Sequence, residues 1–441
     1  MAAESVIFAL ASGAGRAGVA VMRLSGPGVA AVFDALTDRP PPPPRMAALR
    51  RLVNPDDGSA LDQALTLWFP APASFTGEDV VELHLHGGIA VIDGVADALA
   101  GLPGFRPAEP GEFSRRAFRN GKLDLAAAEG LADLIDADTA FARRRALWQM
   151  EGGLSRIHND WRERLLTLLA LAEAALDFSD EPIPETLDLE IREGISTILA
   201  EIARHLGNPE AVERGRDGYR IVLTGPPNVG KSSLLNALAR RDAAIVTATP
   251  GTTRDVLEVR MDLGGYPVSL FDTAGLRDSS DPIEQEGMRR ARAALETADL
   301  ILEVRILAAH DCSTSVGEAD AAAPGRMVFW NKADLAPGVA PPFGLTGSAQ
   351  SGAGLPALEA VLAGRAQAAL EAGPAPAMTR ARHRAALLDV KDALDQALTA
   401  PAPELCAEDL RTAMRALGRV VGVVDVDDVL DRIFSAFCIG K

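Results

Sequence analysis

Apolar and polar residues alternate in two segments near the start of the chain, VAVMRLSG (19–26) and VVELHLHGG (80–88). A period of two residues is typical of a strand that buries one face. In the second segment the apolar positions are Val81, Leu83 and Leu85, and the polar positions between them are Glu82, His84 and His86. The pattern predicts a mixed α/β domain over residues 1–118.

From residue 123 the pattern changes to the three- and four-residue steps of amphipathic helices. Four apolar stripes follow this period, and the last two come after residue 373. They consist of Leu147, Leu154, Ile157, Trp161, Leu165, Leu168, Ala172 and Leu176; Ile191, Ile195, Ile198, Ile202 and Leu206; Leu387, Leu388, Val390, Leu394 and Leu398; and Val429, Leu430, Ile433, Phe434 and Phe437. We therefore predict an all-α domain formed by residues 119–213 and 373–441.

Between these helical flanks, residues 214–372 alternate strand and helix patterns, as in YRIVLTG, SSLLNALA, YPVSLFDTAG and RMVFWNKAD. Such alternation is typical of a doubly wound α/β domain. The simplest architecture is a multidomain α/β protein in which this domain is inserted into the helical one. Periodicity alone does not show that the two flanks pack together.

Composition restricts the class of protein. The chain has 441 residues and only three cysteines, Cys312, Cys406 and Cys438, which are too few and too scattered for a disulfide framework. Its start lacks the basic segment of a signal peptide, and its most apolar helical run (165–176) is too short to cross a bilayer. We expect a cytoplasmic protein that does not associate with membranes.

The net charge is −17, whereas a chain that binds nucleic acid alone is usually basic. RNA binding would need local basic patches or a partner that supplies positive charge. The candidate patches are Arg115, Arg116 and Arg119; Arg143, Arg144 and Arg145; and Arg380, Arg382 and Arg384. Each patch is also compatible with a solvated helix face.

The chain ends in AFCIGK (436–441), which places Cys438 where a prenylation box has its cysteine. Such a box requires aliphatic residues after the cysteine and a different last residue, so Gly440 and Lys441 argue against a lipid anchor. Two interpretations of Cys438 stay open. It is either a small side chain packed beside Phe437 or a thiol that acts chemically.

The segment GPPNVGKS (225–232) lies between a strand pattern and a helix pattern and fits the phosphate-loop motif. Backbone N–H groups of such a loop cradle phosphates. We predict that Lys231 contacts the β- and γ-phosphates and that Ser232 binds Mg²⁺. After the next strand, DTAG (272–275) predicts that Asp272 holds the Mg²⁺ shell and that Gly275 donates its N–H to the γ-phosphate.

The segment NKAD (331–334) predicts the base. The Asp334 carboxylate can accept hydrogen bonds from N1–H and the 2-amino group of guanine, and adenine lacks that pair of donors. SAQSG (348–352) fits the last guanine-contacting loop, with the Ala349 N–H directed to the base oxygen. The sequence therefore favours GTP over ATP.

Hydrolysis needs a different arrangement from that of Ras-type enzymes, where a Gln after the DxxG glycine orients water. Leu276 occupies this place and cannot bond water. The alternatives are a very slow GTPase and a monovalent cation held by Asn228 in place of an arginine finger. In IVTATPGTTRD (245–255), Thr252 and Thr253 are available to Mg²⁺ and the γ-phosphate.

The motifs GPPNVGKSSLLNAL, TPGTTRDV, DTAGLRD and SAFCIGK together resemble the MnmE (TrmE) family of bacterial tRNA-modification GTPases. The segments GRAGVAVMRLSG, SFTGEDVVELHLHGG and PGEFSRRAFRNGKLDLAAAEGLADLIDA extend the resemblance over nearly the whole chain. It implies an N-terminal folate-binding domain that forms a homodimer, a split helical domain and an inserted GTPase domain. It also implies that the protein and the flavoprotein MnmG add an aminomethyl or carboxymethylaminomethyl group to carbon 5 of the wobble uridine of certain tRNAs.

In this family the one-carbon unit comes from a tetrahydrofolate (5-formyl or 5,10-methylene), and potassium drives the approach of two GTPase domains. By resemblance, Asn228 and the main-chain oxygens of Thr247, Thr249 and Thr252 bind K⁺, and Ser232 and Thr253 bind Mg²⁺. Glu284 positions the attacking water, although a solvated carboxylate is the alternative. The folate contacts are Arg23, Glu82, Lys122 and Lys441, although a salt bridge on a strand edge is the alternative that the residues Arg23 and Glu82 favour on their own.

The predicted catalytic residues are Glu284, Lys231, Asn228 and Cys438. The predicted GTP-binding residues are Asn228, Val229, Gly230, Lys231, Ser232, Ser233, Thr247, Ala248, Thr249, Pro250, Gly251, Thr252, Thr253, Asp272, Thr273, Ala274, Gly275, Asn331, Lys332, Asp334, Ser348 and Ala349. A GTPase switch of ribosome assembly shares these motifs and is the alternative function. It would require a C-terminal RNA-binding module, and no G-x-x-G segment indicates one there.

Overall fold

The computed structural model describes residues 5–13, 15–37, 39–177, 185–206, 218–241, 258–272, 295–307, 325–341, 343–372, 380–422, 437 and 440. The chain divides into two compact units. The first unit comprises Met1–Ala132, Trp148–Glu163 and Met414–Lys441, and the second comprises Asp133–Leu147 and Arg164–Ala413.

The first unit is built on a six-stranded sheet. Its elements are β1 (Val6–Leu10), β2 (Ala17–Ser25), α1 (Ala31–Thr37), β3 (Ala48–Val53), β4 (Ala60–Phe69), β5 (Val80–Gly87), α2 (Ile89–Ala100), β6 (Phe105–Pro107) and α3 (Glu112–Arg119). The strand order is β3-β4-β5-β2-β1-β6, and only the β1–β6 pair is parallel.

The alternation along β5 is confirmed, because its apolar residues are buried and its polar residues lie on the opposite face. Leu83 and Leu85 join a core with Met22 of β2, Phe33 of α1 and Leu99 of α2. A one-residue slip would reverse these faces, so burial of one face fixes the register. The register pairs Arg23 of β2 with Glu82 of β5.

Four helices follow: α4 (Leu125–Ile135), α5 (Ala140–Met150), α6 (Gly153–Asp177) and α7 (Glu185–Leu206). A left-handed backbone at Gly152 (φ 78°) separates α5 from α6. A side chain at Gly153 would collide with the Trp148 indole. The glycine pair therefore ends one helix and begins the next.

The second unit contains another six-stranded sheet. Its elements are β7 (Tyr219–Thr224), α8 (Lys231–Arg241), β8 (Glu258–Leu263), β9 (Tyr266–Asp272), β10 (Leu300–Ile306), β11 (Arg326–Asn331), β12 (Leu345–Thr346) and α9 (Leu355–Glu371). The order is β12-β11-β10-β7-β9-β8, and every pair except β8–β9 is parallel. The predicted doubly wound fold is confirmed, with β8 as an antiparallel edge strand that the sequence reasoning had not identified.

The second unit also contains α10 (Ala381–Thr399) and the first part of α11 (Pro403–Val421). Helix α10, which follows the α/β segment, packs against α7, which precedes it. Arg192 of α7 also donates to the Leu398 carbonyl of α10. The flanks therefore meet, as an inserted α/β domain requires. Among the described helices, none has the length and apolar content needed to cross a membrane.

Candidate functional site

The phosphate-loop motif forms the turn between β7 and α8. Gly225 (φ 134°), Asn228 (φ 62°) and Gly230 (φ 96°) adopt backbone conformations that L side chains seldom take. A Cβ would collide with the Val304 carbonyl at Gly225 and with the Asn331 amide at Gly230. The two glycines are thus required by close approach as well as by conformation. The turn leads into a helix N-terminus, where N–H groups lack intrahelical partners and suit phosphate.

Three polar side chains lie at this turn. Lys231 Nζ donates to the carbonyls of Gly225 (3.0 Å) and Pro226 (3.1 Å), so the lysine side chain lies across the loop. Ser232 Oγ donates to Asp272 Oδ2 at 2.6 Å, which joins the start of α8 to the end of β9. A hydroxyl and a carboxylate are hard oxygen donors of the kind that Mg²⁺ prefers. The donor set therefore fits the predicted magnesium site.

The buried Asn331 side chain joins the loops around this turn. Its Nδ2 donates to the Val229 carbonyl at 2.8 Å, and its Oδ1 accepts the Ala349 N–H at 2.9 Å. Because the Ala349 N–H is already donated, its predicted bond to the guanine oxygen requires this contact to be shared or released. Lys332 (φ 61°) donates through Nζ to the Asn228 carbonyl at 2.8 Å.

Asp334, the residue predicted to recognise guanine, is exposed in the short 3₁₀ turn Ala333–Leu335. Ser348, in the second guanine loop, is buried, and its Oγ accepts the N–H groups of Gln350 and Ser351. Val229 is buried and Ser233 is exposed. The structure thus brings the described nucleotide motifs together around the carboxyl ends of β7, β9 and β11.

The other predicted nucleotide and tail residues lie outside the described part of the chain. They are Thr247, Ala248, Thr249, Pro250, Gly251, Thr252, Thr253, Thr273, Ala274, Gly275, Leu276, Glu284, Cys438 and Lys441.

In the first unit, the predicted folate residues Arg23 and Glu82 form an ion pair. Arg23 Nε and one Nη approach Glu82 Oε1 at 3.0 and 2.9 Å, and His84 Nε2 lies 3.3 Å from Glu82 Oε2. The Arg23 guanidinium lies 5.3 Å from the centre of the Phe75 ring. The salt bridge anticipated as an alternative is therefore present. Both side chains stay partly exposed, at 23% and 18%, and can reach a ligand.

Lys122, the third predicted folate contact, is exposed and adjoins the 74–79 loop that carries Phe75. A Cβ at Gly77 would lie 3.4 Å from Lys122 Cγ. The loop is held by Asn120 Nδ2, which donates to the Thr76 carbonyl at 2.7 Å. Phe75 carries no sequence signal of its own, and only the fold shows that it lies beside Arg23.

The C-terminal tail also reaches this sheet. Phe437 packs against Leu125 and Ala128 of α4. Gly440 (φ 101°) lies so close to the Leu10 carbonyl that a Cβ would collide with it. Leu10 belongs to β1, which pairs with the Arg23-bearing strand β2. The tail residues on either side of Cys438 are therefore anchored in the same unit as Arg23 and Glu82.

The strand histidines are bound to carboxylates. His86 Nδ1 lies 2.7 Å from Asp62 Oδ1, and the His86 N–H donates to Asp62 Oδ2. Burial is the largest single influence on the pKa of Asp62 and raises it, but the hydrogen bonds to His86 and Gln63 together outweigh it and lower the pKa. Within the described ranges, no group of three or more His, Cys, Asp or Glu is arranged to hold a metal ion.

Several arginines of the candidate basic patches form contacts inside the protein. The contacts are Arg116 with Glu78 and Glu112, Arg144 with Glu371, Arg380 with Asp133, and Arg384 with the Leu206 carbonyl. Burial lowers the pKa of Arg145. Arg119 and Arg143 are exposed. The arginine runs are therefore not simple RNA-binding surfaces.

A polar contact that the motifs did not indicate lies at the β8–β9 turn. Tyr266 donates its hydroxyl to Glu371 Oε1 at 2.5 Å, and Phe141 donates its backbone N–H to the Gly265 carbonyl at 2.8 Å. The hydrogen bond raises the pKa of Tyr266 and lowers the pKa of Glu371. The turn of the β8–β9 hairpin is thereby joined to α5 and to the end of α9.

Comparison with known proteins shows which protein family the chain belongs to. Residues 6–122 match the model for the GTP-binding protein TrmE N-terminus, and residues 125–438 match the model for the MnmE helical domain. The tRNA modification GTPase MnmE of Parvibaculum lavamentivorans is 54% identical over 441 residues, which cover 99% of each chain. This chain belongs to the MnmE family of tRNA modification GTPases.

MnmE of Rhodospirillum rubrum is 52% identical to this chain over 460 residues, again with 99% of each chain covered. MnmE of a Methylobacterium species is also 52% identical, over 452 residues. Full-length membership of the MnmE family confirms the resemblance seen in the motifs.

Proposed function

We propose that this chain hydrolyses GTP at the β7–α8 turn and takes part in the modification of tRNA. The observation that carries the proposal is the convergence of Lys231, the Ser232–Asp272 pair and the Asn331-linked guanine loops in a full-length member of the MnmE family. Mg²⁺ is bound by Ser232 and Thr253, with Asp272 in its shell. The Asp334 carboxylate accepts two hydrogen bonds from guanine.

Hydrolysis depends on potassium. Asn228 has an exposed side chain in a left-handed turn beside the phosphate site. It would hold K⁺ together with main-chain oxygens of Thr247, Thr249 and Thr252, and a cation held there would supply positive charge to offset the charge that develops on the phosphates. Glu284 positions the attacking water, since Leu276 has no hydrogen-bonding group. The same ion promotes the approach of two GTPase domains.

Residues 1–118 bind a tetrahydrofolate derivative and form the homodimer. Glu82 accepts the amino and ring N–H groups of the pterin, and the cationic Arg23, Lys122 and Lys441 suit the glutamate tail. The Arg23 and Glu82 side chains both stay partly exposed although they pair with each other, which supports this assignment. The split helical domain, residues 119–213 and 373–441, carries the tail with Cys438, and residues 214–372 form the GTPase domain.

The modification takes place at carbon 5 of the wobble uridine of certain tRNAs, jointly with the flavoprotein MnmG. The products carry an aminomethyl or carboxymethylaminomethyl group, and the folate supplies one carbon. Because the net charge is −17 and several basic runs make internal contacts, the partner supplies part of the positive surface for tRNA.

A paired measurement tests the proposal. Wild type and Asn228→Ala are assayed for GTP turnover in potassium and in sodium buffers, and tRNA nucleosides are profiled in a deletion strain, both alone and with either gene restored. We expect potassium to stimulate only the wild type and the wobble modification to disappear in the deletion strain. Equal turnover of the wild type in both buffers contradicts the potassium site. An unchanged nucleoside profile contradicts the role in tRNA modification.

A further inference from the structure

Trp330 occupies the last position of β11 before the guanine motif begins at Asn331. Neighbouring residues of this strand face opposite sides of the sheet. Phe329 enters the core with α8 and α9, whereas Trp330 packs with Leu307 and Val328 on the other face. Trp330 is only 5% exposed, so its indole is part of a second, smaller core.

The loop after the guanine motif covers this second core. Four residues pack against the cluster formed by Leu307, Val328 and Trp330, namely Ala333 of the guanine motif and Ala336, Val339 and Phe343 of the loop. The rings of Trp330 and Phe343 lie 5.9 Å apart in an edge-to-face arrangement, which favours an aromatic pair. Trp330 Nε1 donates to the Phe343 carbonyl at 2.7 Å, so the indole holds the far end of the loop through both packing and a hydrogen bond.

The main chain of Trp330 binds the same loop where it ends, at Thr346 and Gly347. The Trp330 carbonyl accepts the Gly347 N–H at 2.9 Å and the Thr346 hydroxyl at 3.2 Å. Gly347 in turn accepts the Ala333 N–H through its carbonyl at 3.0 Å. The loop is therefore closed at the base of the turn that carries Asp334.

Asp334 itself is exposed, and within the described part of the chain its carboxylate makes no hydrogen bond. Its position is set by the backbone of the Ala333–Leu335 turn, and Ala333 of that turn packs against the cluster of Leu307, Val328 and Trp330. A carboxylate that must meet two donors on one edge of a base tolerates little displacement.

We propose that Trp330 is a positioning residue for guanine recognition, acting through the loop that it anchors and without touching the nucleotide. The proposal rests on the assignment of Asp334 to guanine made above. It predicts a selective defect when the indole is altered. Displacement of the carboxylate weakens two hydrogen bonds to GTP, from N1–H and from the 2-amino group. It weakens only one to inosine triphosphate, which lacks the 2-amino group.

The test measures dissociation constants of GTP and inosine triphosphate for the wild type, Trp330→Phe and Phe343→Leu. Trp330→Phe keeps a ring in the second core and removes the Nε1 donor, and Phe343→Leu removes the aromatic pair from the loop side. We expect each variant to bind GTP about tenfold more weakly, the size of one lost hydrogen bond, and to lower the GTP-to-ITP affinity ratio by about threefold. Two variants keep the test decisive if one fails to fold.

Met327→Ala is the matched control, since Met327 lies on the same strand but enters the opposite core. It lowers stability and leaves the affinity ratio at the wild-type value. If Trp330→Phe and Phe343→Leu also leave the ratio unchanged, Trp330 is only structural and the proposal is overturned.

The variant Asp334→Asn distinguishes a wrong role for Trp330 from a wrong assignment of Asp334 to guanine. We expect it to weaken GTP binding about 100-fold, as loss of a charged bidentate contact requires, and to lower the affinity ratio below that of Trp330→Phe. If Asp334→Asn leaves the ratio unchanged, the guanine assignment itself is wrong and the proposal falls with it. If only Asp334→Asn changes the ratio, the assignment stands and the role of Trp330 is refuted.

Discussion

The two six-stranded sheets present their candidate sites in different ways. In the second unit, the site at the end of β7 is formed mainly by backbone in unusual conformations, and glycines are required there by close contacts. In the first unit, the site on β2 and β5 is formed by side chains that bind one another, Arg23 with Glu82 and Glu82 with His84. A backbone site is sensitive to added atoms, whereas a side-chain site is sensitive to a change of charge.

The largest expected effect of this difference is at Gly230. Gly230→Ala adds a methyl group at φ 96° that collides with the buried Asn331 amide, so the loop must move away from its phosphate-binding form. We expect GTP affinity to fall by about 100-fold or more, measured by calorimetry, as for loss of an oriented backbone donor set. Gly364→Ala in α9 is the control, since its Cβ meets open space. GTP binding by Gly230→Ala close to that of wild type would refute the close-contact argument.

The second prediction concerns Cys438, with Cys406 as its control. Cys438→Ser should reduce wobble-uridine modification by about tenfold or more while GTP turnover stays unchanged, because serine is a much weaker nucleophile and acid than cysteine. Cys406→Ser is the control, since burial raises the pKa of the Cys406 thiol. Both activities are measured on one preparation. Wild-type modification by Cys438→Ser would remove this thiol from the mechanism, and loss of both activities would indicate a folding role.

A smaller effect is expected at the side-chain site. Glu82→Gln keeps the shape of the side chain but removes the charge that binds Arg23 and accepts the pterin donors. We expect folate affinity to fall about tenfold, measured by equilibrium binding, with potassium-stimulated GTP turnover unchanged. Asp62→Asn is the matched control, since Asp62 pairs with His86 on the neighbouring strand. If the two variants bind folate equally well, the assignment of Glu82 is wrong.

The smallest effect is expected at the β8–β9 turn. Tyr266→Phe removes the hydroxyl that donates to Glu371, and we expect a small decrease in melting temperature at neutral pH. The bond lowers the pKa of Glu371, so its contribution is present above the ordinary value of 4.5 and is lost as the pH falls through the lowered folded-state pKa. Melting curves of both proteins should therefore converge in acid. A difference that persists there would show that the effect comes from packing of the ring.

Much of the fold was predictable because the periods of apolar residues report burial directly. The β5 alternation, the α/β alternation and the first three helical stripes recur in the structure, since each element must bury one face, although Leu388 of the third stripe is exposed. The fourth stripe, apart from Phe437, lies outside the described residues. Strand β8, EVRMDL, also alternates polar and apolar residues and buries Met261 and Leu263, so its period reports burial in the same way. The glycine pair at 152–153 separates two helices because Trp148 occupies the space that a side chain would need.

The sequence by itself determined the nucleotide motifs, because a phosphate loop is a local structure whose glycines, lysine and serine are adjacent in the chain. Only the tertiary structure joined distant side chains. It placed Arg23 against Glu82, linked Asn331 to Val229 and Ala349, and set Trp330 beneath the loop that carries Asp334. These contacts depend on strand register and on which face of a sheet a loop covers. Both are decided by the burial of the whole core, and neither is visible in a short run of residues.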